Sequence, residues 1–226
     1  MRPVNKGAAP QVFYKYQDAK HFLIDRLGNF CSYCEAACMK YELEVEHIQP
    51  KSKYPAISCD WDNILLACRM CNAIKGDTDV PDPAHYVFPD RDNTFLAIIW
   101  GEGGIPTPNT DLPTHIQERV DRTIRLIGLD RTPGSGASRQ DTRWSKRMET
   151  QSKAQRAKDN LRRADSLAMR DQIQDTIVSH FSIWLSVFRD DPDMCRRIFQ
   201  NFPGTSDCLQ INADGNLCAI PRAVDV

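Results

Sequence analysis

Four cysteines set in two pairs, Cys31-x2-Cys34 and Cys68-x2-Cys71, are the strongest chemical signal in the sequence. A C-x2-C turn delivers two sulfurs to one ion, and two such turns complete a tetrahedral Zn²⁺ site. Four thiolates leave no open position for water, so the expected zinc folds the segment and does not catalyse. The 33 residues between the pairs exceed the spacing of a zinc ribbon, so a sizeable unit is inserted there. That insertion holds His47 and Asn63, and Asn72 and Lys75 follow the second pair. Four buried free thiols are the plain alternative, and two pairs bracketing one compact unit speak against it. Cys38 and Cys59 lie outside both pairs and read as structural or spare.

The string around the histidine is Glu44-Val-Glu46-His47-Ile-Gln-Pro-Lys51-Ser-Lys53. It is followed by Asp60-Trp-Asp-Asn63-Ile-Leu-Leu-Ala-Cys68-Arg-Met-Cys71-Asn72-Ala-Ile-Lys75-Gly-Asp77. Together with the cysteines, it resembles the HNH (ββα-metal) endonucleases in their four-cysteine subgroup, over roughly residues 28–80. Met1-Arg-Pro-Val-Asn-Lys6 and Cys31-Ser-Tyr-Cys-Glu35 add a narrower resemblance, to the HNH component of two-gene Septu-type antiphage systems.

The resemblance implies phosphodiester hydrolysis and gives each residue a role. An activated water needs a base with a pKa near neutrality, and His47 is the candidate. In the family, the residue before this histidine and an Asn near the helix start carry the catalytic cation. Here these are Glu46 and Asn72, with Mg²⁺ or another divalent ion expected. The first Asn of the motif, here Asn63, orients the base or pins the loop. Lys75 lies three residues after Asn72 on the same helical face and is the candidate phosphate ligand. Neighbours on a regular strand point to opposite faces, so Glu46 and His47 can share a site only if the strand ends or bulges there. Glu44 reads as a solvent-facing strand residue. His21, His85, His115 and His180 carry no such setting and read as structural.

These residues require a hairpin and a helix to hold them. An apolar stripe marks a helix over 17–27, stopped by Gly28. Leu43–Ile48 alternates as a strand, 49–62 is a loop, and Asn63–Ala67 is a second strand. A helix then runs from Cys71 to near Gly76. Downstream, Tyr86–Phe88 and Thr94–Trp100 read as strands and Gly101–Pro108 as loop. Ile116, Val120, Ile124 and Ile127 mark a helix over 114–127, closed by Gly128. After a Pro/Gly/Ser linker at 131–138, the pattern predicts a basic helix over 140–164, an apolar-striped helix over 166–189 and an irregular tail beyond Pro203. The expected class is α+β: a ββα-metal nuclease core with a zinc knuckle in residues 1–111, and a mainly helical accessory region in 112–226.

Apolar and charged fractions of 41% and 26% describe an ordinary globular chain. No apolar run reaches membrane-spanning length, and the N-terminus lacks a secretory h-region, so a cytoplasmic protein is expected. Nine cysteines in a reducing compartment favour metal over disulfides. The net charge is −1, yet residues 139–163 carry nine Lys/Arg against three acids, a local +6. Such a stripe either contacts nucleic-acid phosphates or is a solvated helix face. The stripe from Ile173 to Phe188 either docks a protein partner or packs internally. The Septu resemblance implies that partner to be an ABC/SMC-like ATPase. DNA is favoured over RNA as substrate. A zinc module that binds nucleic acid or a partner without catalysis is the alternative from another class.

Overall fold

Alternating residues on either side of a polar loop pair into the hairpin expected between the cysteines. The computed structural model describes residues 1–101, 103–136 and 138–220. After helix α1 (Lys20–Leu27), β1 spans Leu43–His47 and β2 spans Ile64–Cys68. The strands are antiparallel with one residue opposite one, from Leu43 against Cys68 to His47 against Ile64, so no bulge interrupts them. Helix α2 (Arg69–Lys75) follows β2 directly. Cys68 Sγ accepts from the Cys71 N–H at its start, and it ends at Gly76, whose φ of 52° suits glycine.

Residues directly opposite share a face of the hairpin. Leu43, Ile64 and Leu66 pack with Phe13, Leu23, Leu27 and Trp61. Leu65 and Ala67 turn the other way, into a core with Tyr33, Val120, Ile127 and Ile183. His47 therefore belongs to the face covered by the N-terminal segment, and Glu44 and Glu46 to the face covered by α2. The N-terminal segment is tied in at several points. Arg2 donates to Leu27 O and Pro203 O, and Lys6 Nζ donates to Ile64 O at 3.0 Å. Trp61 Nε1 donates to Gly7 O, and the Phe13 ring stacks on Trp61 at 5.9 Å.

Beyond the hairpin the structure departs from the sequence reading in five places. Residues 86–88 form no strand, and 94–100 is half helix: α3 (Thr94–Ala97) precedes β3 (Ile98–Trp100). Asn93 O accepts from the N–H groups of Leu96 and Ala97, which closes a helical turn, and so short an apolar run does not fix its own period. The expected loop at 101–108 contains β4 (Pro106–Pro108), paired with β3; two prolines are tolerated there because the strand is an edge. Helix α4 (Thr114–Ile127) and the basic helix α5 (Arg143–Arg163) lie where expected.

The predicted helix 166–189 is two helices, α6 (Leu167–Thr176) and α7 (Phe181–Phe188). The break is a tertiary effect. Glu35 takes the start of α7, accepting from Ser182 N–H at 2.8 Å and Ser182 Oγ at 2.6 Å, while Glu35 O accepts from His180 N–H. His180 turns into the left-handed region, φ 54°, to allow this. The tail is not irregular. Helix α8 (Pro192–Gln200) starts at Asp191, whose side chain caps Met194 N–H, with Pro192 in the first turn. A hairpin of β5 (Leu209–Ile211) and β6 (Leu217–Ala219) follows.

The apolar stripe of α6 and α7 is core, not an open face. Ile173, Ile177, Phe181, Trp184 and Phe188 are buried together with Ala154 and Leu161 of α5 and Ile198 of α8. No helix among the described residues is long and apolar enough to cross a membrane.

Candidate active site and metal centre

The two C-x2-C turns converge. The four sulfurs of Cys31, Cys34, Cys68 and Cys71 lie within 4.8 Å of one another. Cys34 Sγ and Cys68 Sγ are 3.8 Å apart. A tetrahedron with Zn–S bonds of ~2.3 Å has edges of roughly 3.8 Å, so these side chains fit zinc. Among the described residues this is the one cluster of three or more His, Cys, Asp or Glu ligands. Hydrogen bonds from Cys31, Cys34 and Cys71 hold the Cys68 thiol far below its ordinary pKa. Arg143, at the start of α5, donates through Nη1 to Cys71 Sγ at 3.3 Å, and its guanidinium is also bonded to Asp141, Ile127 O and Gly128 O. Arg147, one turn on, is buried and donates to Gly104 O and Leu129 O. Both arginines are therefore structural cations beside the thiolates, and the part of the basic stripe open to phosphate reduces to exposed residues such as Lys146, Lys153, Arg156, Arg162 and Arg163.

A cleft of about 790 Å³ runs along β1. All five strand residues line it, because β1 is an edge strand and side chains of both faces border its open side. This answers the Glu46–His47 geometry without a bulge: each residue keeps its own face and both reach the cleft.

His47 is 7% exposed, and its imidazole is fixed from two directions. The Tyr16 ring meets it edge-on, centroids 4.8 Å apart. Nε2 lies 2.9 Å from Ser58 O. A carbonyl only accepts, so Nε2 carries the hydrogen and Nδ1 keeps its lone pair. Burial lowers the pKa of His47, opposed by the Ser58 bond, so the ring is neutral at pH 7, the state a base requires. Asn63 does not line the cleft. Its Oδ1 accepts from Gln49 N–H at 2.8 Å, and its Nδ2 donates to Gln49 O and Ile57 O. It pins the loop that carries Ser58.

Glu46 and Asn72 both line the cleft, and so does Glu44. Asn72 Nδ2 donates to Glu44 Oε2, which leaves the Asn72 carbonyl oxygen for a cation. Glu46 is 2% exposed, and burial pushes its pKa up to about 7 despite Lys75. Its Oε1 pairs with Lys75 Nζ at 2.8 Å, and that contact occupies one of the two lone pairs of the oxygen. A buried carboxylate oxygen with an open lone pair, beside an amide oxygen and a second carboxylate, fits a hard divalent cation completed by waters. Lys75 is not placed to bind phosphate. Its side chain is buried, Nζ donates to His47 O at 2.6 Å, and it neutralises Glu46.

Residues 31–78 match the HNH endonuclease family. This segment is an HNH domain. The Septu protein PtuB of Bacillus thuringiensis is 42% identical over 60 residues, 25% of this chain and 23% of that protein. The aligned part is thus under a quarter of the curated relative's length. Two residues at the HNH cleft escaped the sequence reading. Glu44 was legible, since strand alternation puts it on the face of Glu46. Tyr16 was not, since it precedes His47 by 31 residues, lies outside the matched segment and belongs to no motif.

Proposed function

We propose that the chain is a metal-dependent HNH endonuclease that hydrolyses phosphodiester bonds of nucleic acid, DNA foremost. The observation that carries this reading is the fixed tautomer of His47: Nε2 is committed to Ser58 O, which leaves Nδ1 as the acceptor of a ring that lines one cleft with Glu46 and Asn72. In the proposed reaction His47 Nδ1 takes a proton from the attacking water. The water oxygen bonds to phosphorus, and the bond to the leaving oxygen breaks. Glu46 and Asn72, with Glu44 beside them, would hold a divalent cation, Mg²⁺ foremost. When bound, that ion supplies charge neutralisation at the phosphate and leaving oxygen. Lys75 keeps Glu46 in place, and Asn63 keeps the Ser58 carbonyl in place. Zinc at the four cysteines holds α2 to the knuckle.

The likeness to PtuB supports a role as the nuclease of an antiphage system, working with an ABC/SMC-like ATPase, with residues 1–111 as the nuclease part and 112–226 as the helical accessory part. The test incubates the pure chain with plasmid DNA and with total RNA in Mg²⁺, with and without a candidate ABC/SMC-like ATPase partner. Mg²⁺-dependent cutting of DNA is expected. Cutting of RNA alone replaces the substrate assignment. No cutting of either, with or without the ATPase, leaves the zinc-module alternative in its place.

A further inference from the structure

The cleft is rich in acids, and a nucleic-acid backbone brings more negative charge to it. Glu44, Glu46 and Asp77 line it. Among the described residues, the cations that line it are Lys20 and Lys51, and Lys75 is not among them. Lys51 sits on an exposed, ordered turn: the N–H groups of Lys53 and Tyr54 both donate to Pro50 O, and Asn63 clamps Gln49 just before it. Its Nζ donates to Tyr16 Oη at 2.5 Å and lies 4.2 Å from the ring centroid. The partner of this ammonium is a neutral phenol, whereas Lys75 is neutralised by Glu46. The same Tyr16 ring packs edge-on against His47. Tyr16 opens the 3₁₀ turn Tyr16–Ala19 that leads into α1.

We propose that Tyr16 is the positioning residue for the His47 base and that Lys51, presented by the Tyr16 hydroxyl, binds the substrate phosphodiester beside that base. The proposal rests on the nuclease reading above. It assigns the N-terminal segment, outside the HNH match, one wall of the active cleft. The two contacts of Tyr16 separate its roles. The ring edge restrains the imidazole, which one misplaced ångström would disable by orders of magnitude. The hydroxyl aims an unneutralised ammonium, whose bond to a phosphate is charge-assisted.

The experiment uses the full zinc-loaded chain and a short labelled DNA duplex in Mg²⁺, and compares wild type with Y16F, Y16L and K51M. Folding is matched by thermal melting and zinc content. Y16F keeps the ring, so kcat holds within about threefold while KM rises. Y16L fills the space without the ring edge, so kcat falls at least ~10-fold. K51M raises KM about 10-fold at unchanged kcat, and in an H47A background raises the Kd of the uncut duplex by the same factor. Ring ¹⁵N shifts of His47 report the Nε2–H tautomer in wild type and Y16F, and an averaged ring in Y16L. Equal losses of kcat in Y16F and Y16L, or an unimpaired Y16L, overturn the positioning role. Unchanged KM and Kd in K51M overturn the phosphate role. A wild-type chain that cuts nothing, with or without the candidate ATPase, overturns the nuclease reading itself, and the ¹⁵N shifts then still decide whether Tyr16 holds the ring.

Discussion

Asn63 and His47 are joined through one stretch of backbone. Asn63 Nδ2 donates to Ile57 O at 3.3 Å, and His47 Nε2 donates to the next carbonyl, Ser58 O, at 2.9 Å. The amide that pins the loop thereby sets the carbonyl that selects the tautomer of His47. Asn63→Ala removes three hydrogen bonds from a buried site. It lowers stability by on the order of 1–3 kcal/mol and slows cleavage, with the Mg²⁺ concentration for half-maximal rate unchanged. Thermal melts and a Mg²⁺ titration check both parts, and a shifted Mg²⁺ dependence would place Asn63 at the cation instead.

The hairpin and the four-cysteine cluster were legible because they rest on local signals: paired C-x2-C turns, period-two alternation and glycine stops. What was not legible is set by contacts far apart in sequence. Glu35 captures Ser182 and breaks a helix whose apolar stripe runs on through the break. Lys75 shares a helical face with Asn72, as expected, but burial turns it toward Glu46 instead of toward substrate. The basic run looked uniform, yet Arg143 and Arg147 sit on the side of α5 that covers the knuckle.

Arg143 links that helix to the metal. With zinc bound, its bond to Cys71 Sγ offsets thiolate charge, and outer-shell partners of this kind are typically worth 10–100-fold in metal affinity. Arg143→Gln is expected to weaken zinc by about that factor in chelator competition. It also lowers the melting temperature, because Asp141 loses its buried partner. Replacing any of the four cysteines is expected to release zinc and unfold residues 28–76 together. Wild-type zinc retention in R143Q would show that the guanidinium serves packing alone.

Burial pushes the pKa of His180 down to about 4, from 6.5. A depressed histidine is neutral when folded and takes up a proton on unfolding, so its contribution is present above pH 6.5 and is lost as pH falls from 6.5 toward 4. The loss is on the order of 3 kcal/mol. Asn tolerates the left-handed backbone at this position. His180→Asn is therefore expected to flatten the difference in denaturant stability between pH 7 and pH 4.5. Parallel pH profiles for the two proteins would mean that His180 does not titrate with unfolding.

The exposed cations of α5 give the basic stripe a separate test. Changing Arg156, Arg162 and Arg163 together to Ala is expected to weaken binding of every DNA sequence alike. It should reduce the slope of log affinity against log salt by up to about 0.9 for each phosphate that is no longer neutralised. Unchanged affinity and slope, with and without the ATPase, would assign the stripe to solvent.

His47 is the proposed base of a cation-dependent phosphodiester hydrolysis. The most direct measurement is the rate of supercoiled-plasmid cleavage in Mg²⁺ by wild type and His47→Ala, at matched zinc content and melting temperature. The variant is expected to keep its zinc and its fold and to lose roughly 10²–10⁴ in rate. A folded, zinc-loaded His47→Ala that cuts as fast as wild type would contradict it.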